Sequence, residues 1–230
     1  MSVREAIARR TRAEPEGAHD KLLQAAERLF AAHGYNGVSV RELAAAAGVN
    51  SALVAYHFGS KEGLLSEVYR RHCEKMNAER QRLLAAARVK SRPAKLEAVL
   101  EAFIRPALEV AGGEVGRGFT RLRAVLSGEN SDLFNKLVAE NFDRSSALFI
   151  DALCECLPQL PREQAYWRFH FLLGTIYYTA AGPHRIRALS HGRCDPSDSE
   201  AAMRALIPFL AGGLKAPITN TRNQENIHGQ

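Results

Sequence analysis

Cysteine and histidine are the first places to look for chemistry in this chain, because both ligate metals and both serve as nucleophile or base. The four cysteines stand at 73, 154, 156 and 194 and show no repeated ligand spacing. Cys154 and Cys156, two residues apart on one helix, point about 200° apart, a poor arrangement for a single tetrahedral ion. His184, His191 and Cys194 converge on a metal only if their loop folds back, and loop polarity is the simpler reading. Motifs of catalysis are absent: there is no GxSxG elbow, HExxH pair, Walker loop or strand-preceded GxGxxG, and the glycines from 112 to 118 lie between helices. The residues point away from an enzyme, and neither a metal nor a cofactor is expected.

What remains is polar and aromatic chemistry carried on short helices. Ser39 with Glu42 three residues later has capping-box spacing, and Val40, Leu43, Ala44 and Ala47 supply the buried stripe of a helix of about eight residues. Gly48, Val49 and Asn50 make a turn, glycine permitting a left-handed cap. Ser51 to Phe58 then form a third, equally short helix anchored inward by Val54 and Phe58. Two such helices, the second exposing polar and aromatic groups, are what a helix-turn-helix requires: one braces the DNA backbone while the next enters the major groove.

The flanking elements position this pair. A first helix is expected from about Asp20 to His33, with Leu22, Ala26, Leu29, Phe30 and His33 on one face and Gly34 as its stop. Ser60 caps a long fourth helix with Glu62 in its acidic first turn and Leu65, Val68, His72, Met76 and Leu83 along its seam, ending near Val89. Pro93 opens a series of helices at roughly 93–111, 116–127, 131–157, 161–181 and 198–213. Gly112, Gly113, Gly116 and Gly118 read as a flexible link, Pro158 and Pro161 bracket a turn, and Gly182 with Pro183 ends the most aromatic helix. Residues 1–18 read as a mobile, partly basic arm carrying Arg4, Arg9, Arg10 and Arg12, and 217–230 as a disordered tail. The fold class is all-α, about nine helices.

Composition agrees with this layout. The chain has 230 residues, 46% hydrophobic and 24% charged, with a net charge of +6. Residues 1–90 hold 15 Lys/Arg against 10 Asp/Glu, so +5 of the +6 lies there, an excess that attracts a polyanion. No apolar run of membrane-spanning length and no secretory h-region occurs, and reduced cytosolic thiols are the default. The basic stretch RRHCEKMNAERQRLLAAARVK suggests a membrane-surface or partner helix, but acidic residues interrupt its basic face.

The segment HDKLLQAAERLFAAHGYNGVSVRELAAAAGVNSALVAYHFGSKEGLLSEVY, His19 to Tyr69, resembles the DNA-binding domain of the TetR family of bacterial repressors. LFAAHGYNGVSV, RELAAAAGV and YHFGSKEGLL carry the likeness. The resemblance implies roles that the chemistry of each side chain can fill. Ser39 holds a phosphate at the second helix N-terminus, with Val40 beside it. Arg41 reaches a base edge or the backbone. Asn50, Ser51, Ala52, Leu53 and Ala55 lie on the turn and exposed side of the third helix, where short side chains permit close approach and Leu53 meets a thymine methyl. Tyr56, His57 and Lys61 reach phosphates. The arm arginines are either minor-groove contacts or mobile charge.

Beyond Arg80 only the helical layout resembles the family. It implies a reading domain over 19–66, an effector-binding and dimerisation domain over 67–216, and a homodimer paired through about 161–181 and 198–213. The dimer would sit on a palindromic double-stranded operator, its recognition helices one DNA turn, roughly 34 Å, apart. It also implies a cytoplasmic bacterial regulator, nucleoid-associated when bound, more often a repressor. A small apolar or amphipathic effector is expected between the fifth and eighth helices, lined by Phe103, Phe119, Leu122, Leu126, Phe134, Phe142 and Phe149, with Arg121, Arg123 or His170 orienting an anionic end. The aromatics Trp167, Phe171 and their neighbours suit a pocket, a core or an interface.

Overall fold

The computed structural model describes residues 17–218, apart from 113, 129–131, 182 and 196, and apart from some helical side chains within 110–128 and 180–184. Nearly all of the expected arm, with its four arginines, lies outside the described residues, as do 219–230 and the side chains of Arg121 and His184. Every regular element among the described residues is an α-helix: α1 Ala18–His33, α2 Val40–Ala47, α3 Ala52–Phe58, α4 Lys61–Lys90, α5 Leu96–Gly112, α6 Glu114–Gly128, α7 Asp132–Cys156, α8 Arg162–Ala181, α9 Pro183–Leu189 and α10 Ser199–Lys215. None is long and apolar enough to cross a membrane.

Several boundaries differ from the sequence reading, each for a packing reason. His33, expected on the buried stripe, is exposed, because it is the last residue of α1 and the loop turning at Gly34 (φ 73°) lays Tyr35 against Phe30, 5.7 Å between ring centroids, instead. Helix α5 begins at Leu96 rather than Pro93: the Ser91 hydroxyl donates to the Pro93 carbonyl, and the first helical acceptor is Lys95, which receives the N–H groups of Ala98 and Val99. The expected glycine link is mostly helix, with Gly116 and Gly118 inside α6. Glycine costs a helix up to about 1 kcal/mol, and α6 tolerates it, Gly118 facing the Ala31 methyl of α1. The segment after α8 contains about two extra turns of helix, α9, which no apolar periodicity announced. His191 and Cys194 beyond it are exposed.

Two apolar clusters make the core. The first gathers Leu22, Phe30, Leu43, Val54, Leu65 and Tyr69 from α1–α4 and continues through Phe119, Leu122 and Leu126 of α6 to Leu137 and Phe142 of α7. The second gathers Leu84 of α4, the buried face of α5 including Phe103, Phe149 and Leu153 of α7, Phe169 and Ile176 of α8, and Leu206 to Leu214 of α10. Helix α4, 30 residues and so about 45 Å long, runs through both. Ala107 of α5 packs against each of them.

Candidate nucleic-acid interface and ligand cavity

The reading unit is held by caps and by glycines at positive φ or in close backbone contact. The Ser39 hydroxyl accepts from the Glu42 N–H at 3.2 Å, and the Glu42 carboxylate accepts from the Ser39 N–H and hydroxyl, both at 2.7 Å, completing the capping box. Those bonds hold the Glu42 carboxyl below the usual carboxylate range. Gly48 (φ 66°) closes α2 in the left-handed region. Asn50 Oδ1 then accepts from the Ala52 N–H at 2.8 Å, so this side chain starts α3 by an Asx-type turn. At the far end Gly59 (φ 72°) turns the chain and Ser60 caps α4 through Gly63 N–H at 3.0 Å.

Two further glycines fix how the helices meet. A Cβ on Gly63 would lie 2.0 Å from the Phe58 carbonyl oxygen, and one on Gly37 would lie 2.3 Å from that of His33. Both distances fall far inside van der Waals contact, and the atom met is backbone in each case. The first turn of α4 therefore packs directly on the end of α3 only because residue 63 has no side chain. The same unit is closed from α1 by His19, whose ring stacks on Phe58 at 4.9 Å.

On the surface of α2 and α3 the structure brings Ser39, Arg41, Asn50, Ser51, Ala52, Ala55 and Tyr56 together as exposed groups, Tyr56 being 73% exposed. Arg41 projects from the first turn of α2 with solvent around it. Val40 and Leu53 are half-buried and pack against the core below. His57 is half-buried among rings, 5.0 Å from Tyr56 and 5.7 Å from His19. Lys61 is half-buried with its ammonium 4.1 Å over the Tyr35 ring, a cation–π contact at the edge of the unit.

The C-terminal helices enclose a cavity of about 240 Å³ lined by residues of α4 to α8. Of the residues expected there, Phe103, Phe119, Arg123 and Phe142 line it. Leu122 and Leu126 are instead buried in the first core cluster, one helical turn apart on the face of α6 that α1 covers. Phe149 is buried beside Phe103, 4.8 Å between centroids. Phe134 is half-buried against the first cluster. Trp167, His170 and Phe171 do not face the cavity: Trp167 is 55% and Phe171 61% exposed, and Trp167 stacks along the outside of α8 on Phe171 at 6.1 Å. Helix α8 puts Phe169, Leu173, Ile176 and Tyr177 inward, and the 3.6-residue period carries 167, 170 and 171 to the opposite side.

Sequence reading missed Arg80 as a cavity residue. It is 4% exposed, its Nε donates to the Phe103 carbonyl at 2.9 Å, and its guanidinium lies 3.8 Å over the Phe103 ring. Burial, and next the Arg123 cation, push this guanidinium down to about 9. Arg123 sits 4.4 Å over Phe142 and 4.5 Å over Tyr177, donates to the Tyr177 hydroxyl, and is likewise pushed down by burial. The signal was available in principle: Arg80 falls on the seam of α4, four residues after Met76. A second missed junction is His72, whose Nε2 lies 2.6 Å from Glu27 of α1 and whose ring stacks on Phe119 at 4.3 Å. Phe119 lines the cavity, so α1, α4 and α6 meet at that histidine.

Comparison with known proteins identifies this arrangement. Residues 22–68 match the model for bacterial regulatory proteins of the tetR family, and residues 101–213 match the model for the tetracyclin repressor-like C-terminal domain. The chain belongs to the TetR family. Within it, the TetR-family chain is 47% identical over 74 residues to the HTH-type transcriptional regulatory protein RaaS of Mycobacterium tuberculosis, a match covering 32% of each chain. It is 36% identical over 63 residues to the HTH-type transcriptional repressor AcnR of Corynebacterium glutamicum, covering 27% of this chain and 34% of that one. These matches thus span about a third of each curated relative's length. Among solved structures, the fatty acid degradation regulator FadR from Bacillus halodurans superposes with a TM-score of 0.65 at 17% identity, covering 89% of this chain and 100% of that one. FadR from Bacillus subtilis, in complex with stearoyl-CoA, gives 0.61 at 18%, covering 84% and 97%. At these identities the structures show the shared fold.

Proposed function

We propose that this TetR-family regulator binds a palindromic operator as a homodimer and represses transcription until a small apolar or amphipathic molecule enters the C-terminal cavity. In this reading residues 19–66 read DNA, and 67–216 sense the effector and dimerise. The observation that carries the control is the position of the cavity. It lies at the seam of the two cores: Met76, Phe119 and Phe142 on its wall belong to the cluster that supports α1–α3, while Phe103, Ile150 and Ile176 belong to the other. An occupant must press on both sets. Because packed interiors switch between arrangements rather than deform smoothly, the effect passes through Phe119 and His72 to Glu27 on α1. A ligand that favours one spacing of the two reading units over another then shifts the population on DNA.

Dimerisation is supported by the outer faces of α8 and α10. Trp167, Phe171 and Tyr178 of α8 and Phe209 of α10 are all exposed, and no charged residue lies between 164 and 178 on the exposed stripe 167, 170, 171, 174 and 178. Arg168 ties the two helices, donating to the carbonyls of Leu214 (2.6 Å) in the last turn of α10 and Ala216 (2.8 Å) just past it. An apolar patch of that make-up is the mark of a protein interface.

Selection of duplexes from a random pool by the purified protein tests the reading. The expected motif is dyad-symmetric with half-site centres about one helical turn apart. Arg41→Ala is expected to weaken the selected duplex about tenfold, to lower the salt slope by about one, and to leave thermal stability within about 0.5 kcal/mol of wild type. A pool with no enrichment, or an Arg41→Ala protein that binds unchanged, contradicts it.

A further inference from the structure

The two guanidinium groups in the cavity have no counter-ion among the described residues. Among the described residues, no carboxylate forms an ion pair with Arg80 or Arg123. The acid on the cavity wall, Asp143, is exposed and pairs with neither. Arg80 satisfies its Nε on the Phe103 carbonyl. Arg123 leaves its Nε sealed from solvent with no hydrogen-bond partner, and the nearby Tyr69 hydroxyl is sealed and unpartnered as well. Buried cations are ordinarily paired, since an uncompensated charge away from water is costly. Here each is instead laid on rings, Phe103 for one and Phe142 with Tyr177 for the other. Two cations face one largely apolar void, and one of them, Arg123, keeps an unpartnered Nε–H.

Size and wall chemistry narrow the occupant. A volume of about 240 Å³ lies just below the roughly 300–1,000 Å³ of drug-sized ligand pockets, which points to a small molecule. Apart from the two arginines the wall is dominated by aromatic and branched aliphatic side chains. Planar guanidinium forks match the two oxygens of a carboxylate. We propose that the cavity binds a small carboxylic acid, its carboxylate held by Arg80 and Arg123 and its alkyl or aryl body lying against Phe103, Phe119, Phe142 and Ile176. This deepens the effector reading above and rests on it for any consequence at DNA, but not for binding itself.

Calorimetric titration of the full-length protein with decanoate and with 4-phenylbutyrate, each against the primary amide of the same skeleton, tests the assignment. At least one acid is expected to bind tenfold or more tightly than its amide. In Arg123→Met that advantage falls below threefold while the amide keeps its affinity, a selective loss that a merely structural arginine would not produce. Arg123→Lys, which keeps the charge, retains part of the preference, and Arg80→Met provides the same reading from the other guanidinium. Acids that bind no better than their amides, or fail to bind, overturn the proposal, as does an acid preference that survives both methionine variants. An acid that binds through the arginines yet leaves operator affinity unchanged supports the anion site and contradicts the effector reading, so the two fail separately.

Discussion

The reading unit and the sensing body are both helical, yet they are specified in different ways. In α1–α4 the geometry comes from backbone contacts: a capping box at Ser39, positive φ at Gly34, Gly48 and Gly59, and carbonyls at His33 and Phe58 that leave room only for hydrogen at Gly37 and Gly63. In α5–α10 it comes from side-chain packing, around a void that α5–α8 share with the distal part of α4, with one buried cation from α4 and one from α6 at its wall. The first region is built to hold one shape, and the second has room to adopt another. That division suits the proposed function, in which a rigid probe is steered by a deformable body.

The sharpest way to break the contrast is Gly63→Ala. A methyl group 2.0 Å from the Phe58 oxygen must displace α4 from α3, and overpacking of this kind costs about 3 kcal/mol, or roughly 9 °C in melting temperature for a chain of this size. Calorimetry should show that loss together with abolished operator binding. A variant that melts like wild type would mean the reading unit is not fixed by backbone contact.

Next in size is Phe171→Glu on the exposed face of α8. Because the side chain is 61% exposed, the fold should be retained within about 0.5 kcal/mol, while a charge in the centre of an apolar interface separates the copies. Light scattering is expected to move from a dimer to the 25.3 kDa monomer, with operator affinity falling about a hundredfold. A dimer that persists would place the interface elsewhere.

The smallest effect is Ser39→Ala, which removes the cap on α2 and costs about 1 kcal/mol at neutral pH. Its pH dependence follows from Glu42. Because that carboxyl is held below its ordinary value in the folded chain, its contribution is complete above the unfolded value of about 4.3 and is lost as pH falls through the lower folded one. Urea melts should show wild type and variant converging in acid; a gap that widens there would contradict the capping role.

These same two regions differ in how far the sequence discloses them. The caps at Ser39 and Ser60, the turn at Gly48 and the inward anchor Val54 are local features, readable from spacing of a few residues. Gly37 and Gly63 stand inside the quoted motifs, but what excludes a side chain at each is a carbonyl that only the folded turn brings near. In the sensing body periodicity located the helices, to within a few residues for α7, α8 and α10, without showing which face turns inward. His170 therefore reads as a cavity residue, and Trp167 and Phe171 read equally as pocket, core or interface, although α8 carries all three to the outside. Arg80 was overlooked because a charged residue on a helix is ordinarily solvated, and only the packing of α5 against α4 buries it. Gly116 and Gly118 read as a link by composition and lie within α6, where Gly118 faces Ala31 of α1.

The claim that the cavity joins the two cores is tested most directly at Ala107, which touches both and lines the void. Operator affinity of Ala107→Phe, measured by fluorescence anisotropy without any added small molecule, should differ from wild type by tenfold or more, because the new ring fills the space an effector would occupy. If the ring occupies the cavity, as judged by lost binding of the carboxylic acids, and the affinity for DNA stays the same, the cavity and the reading helices are not coupled.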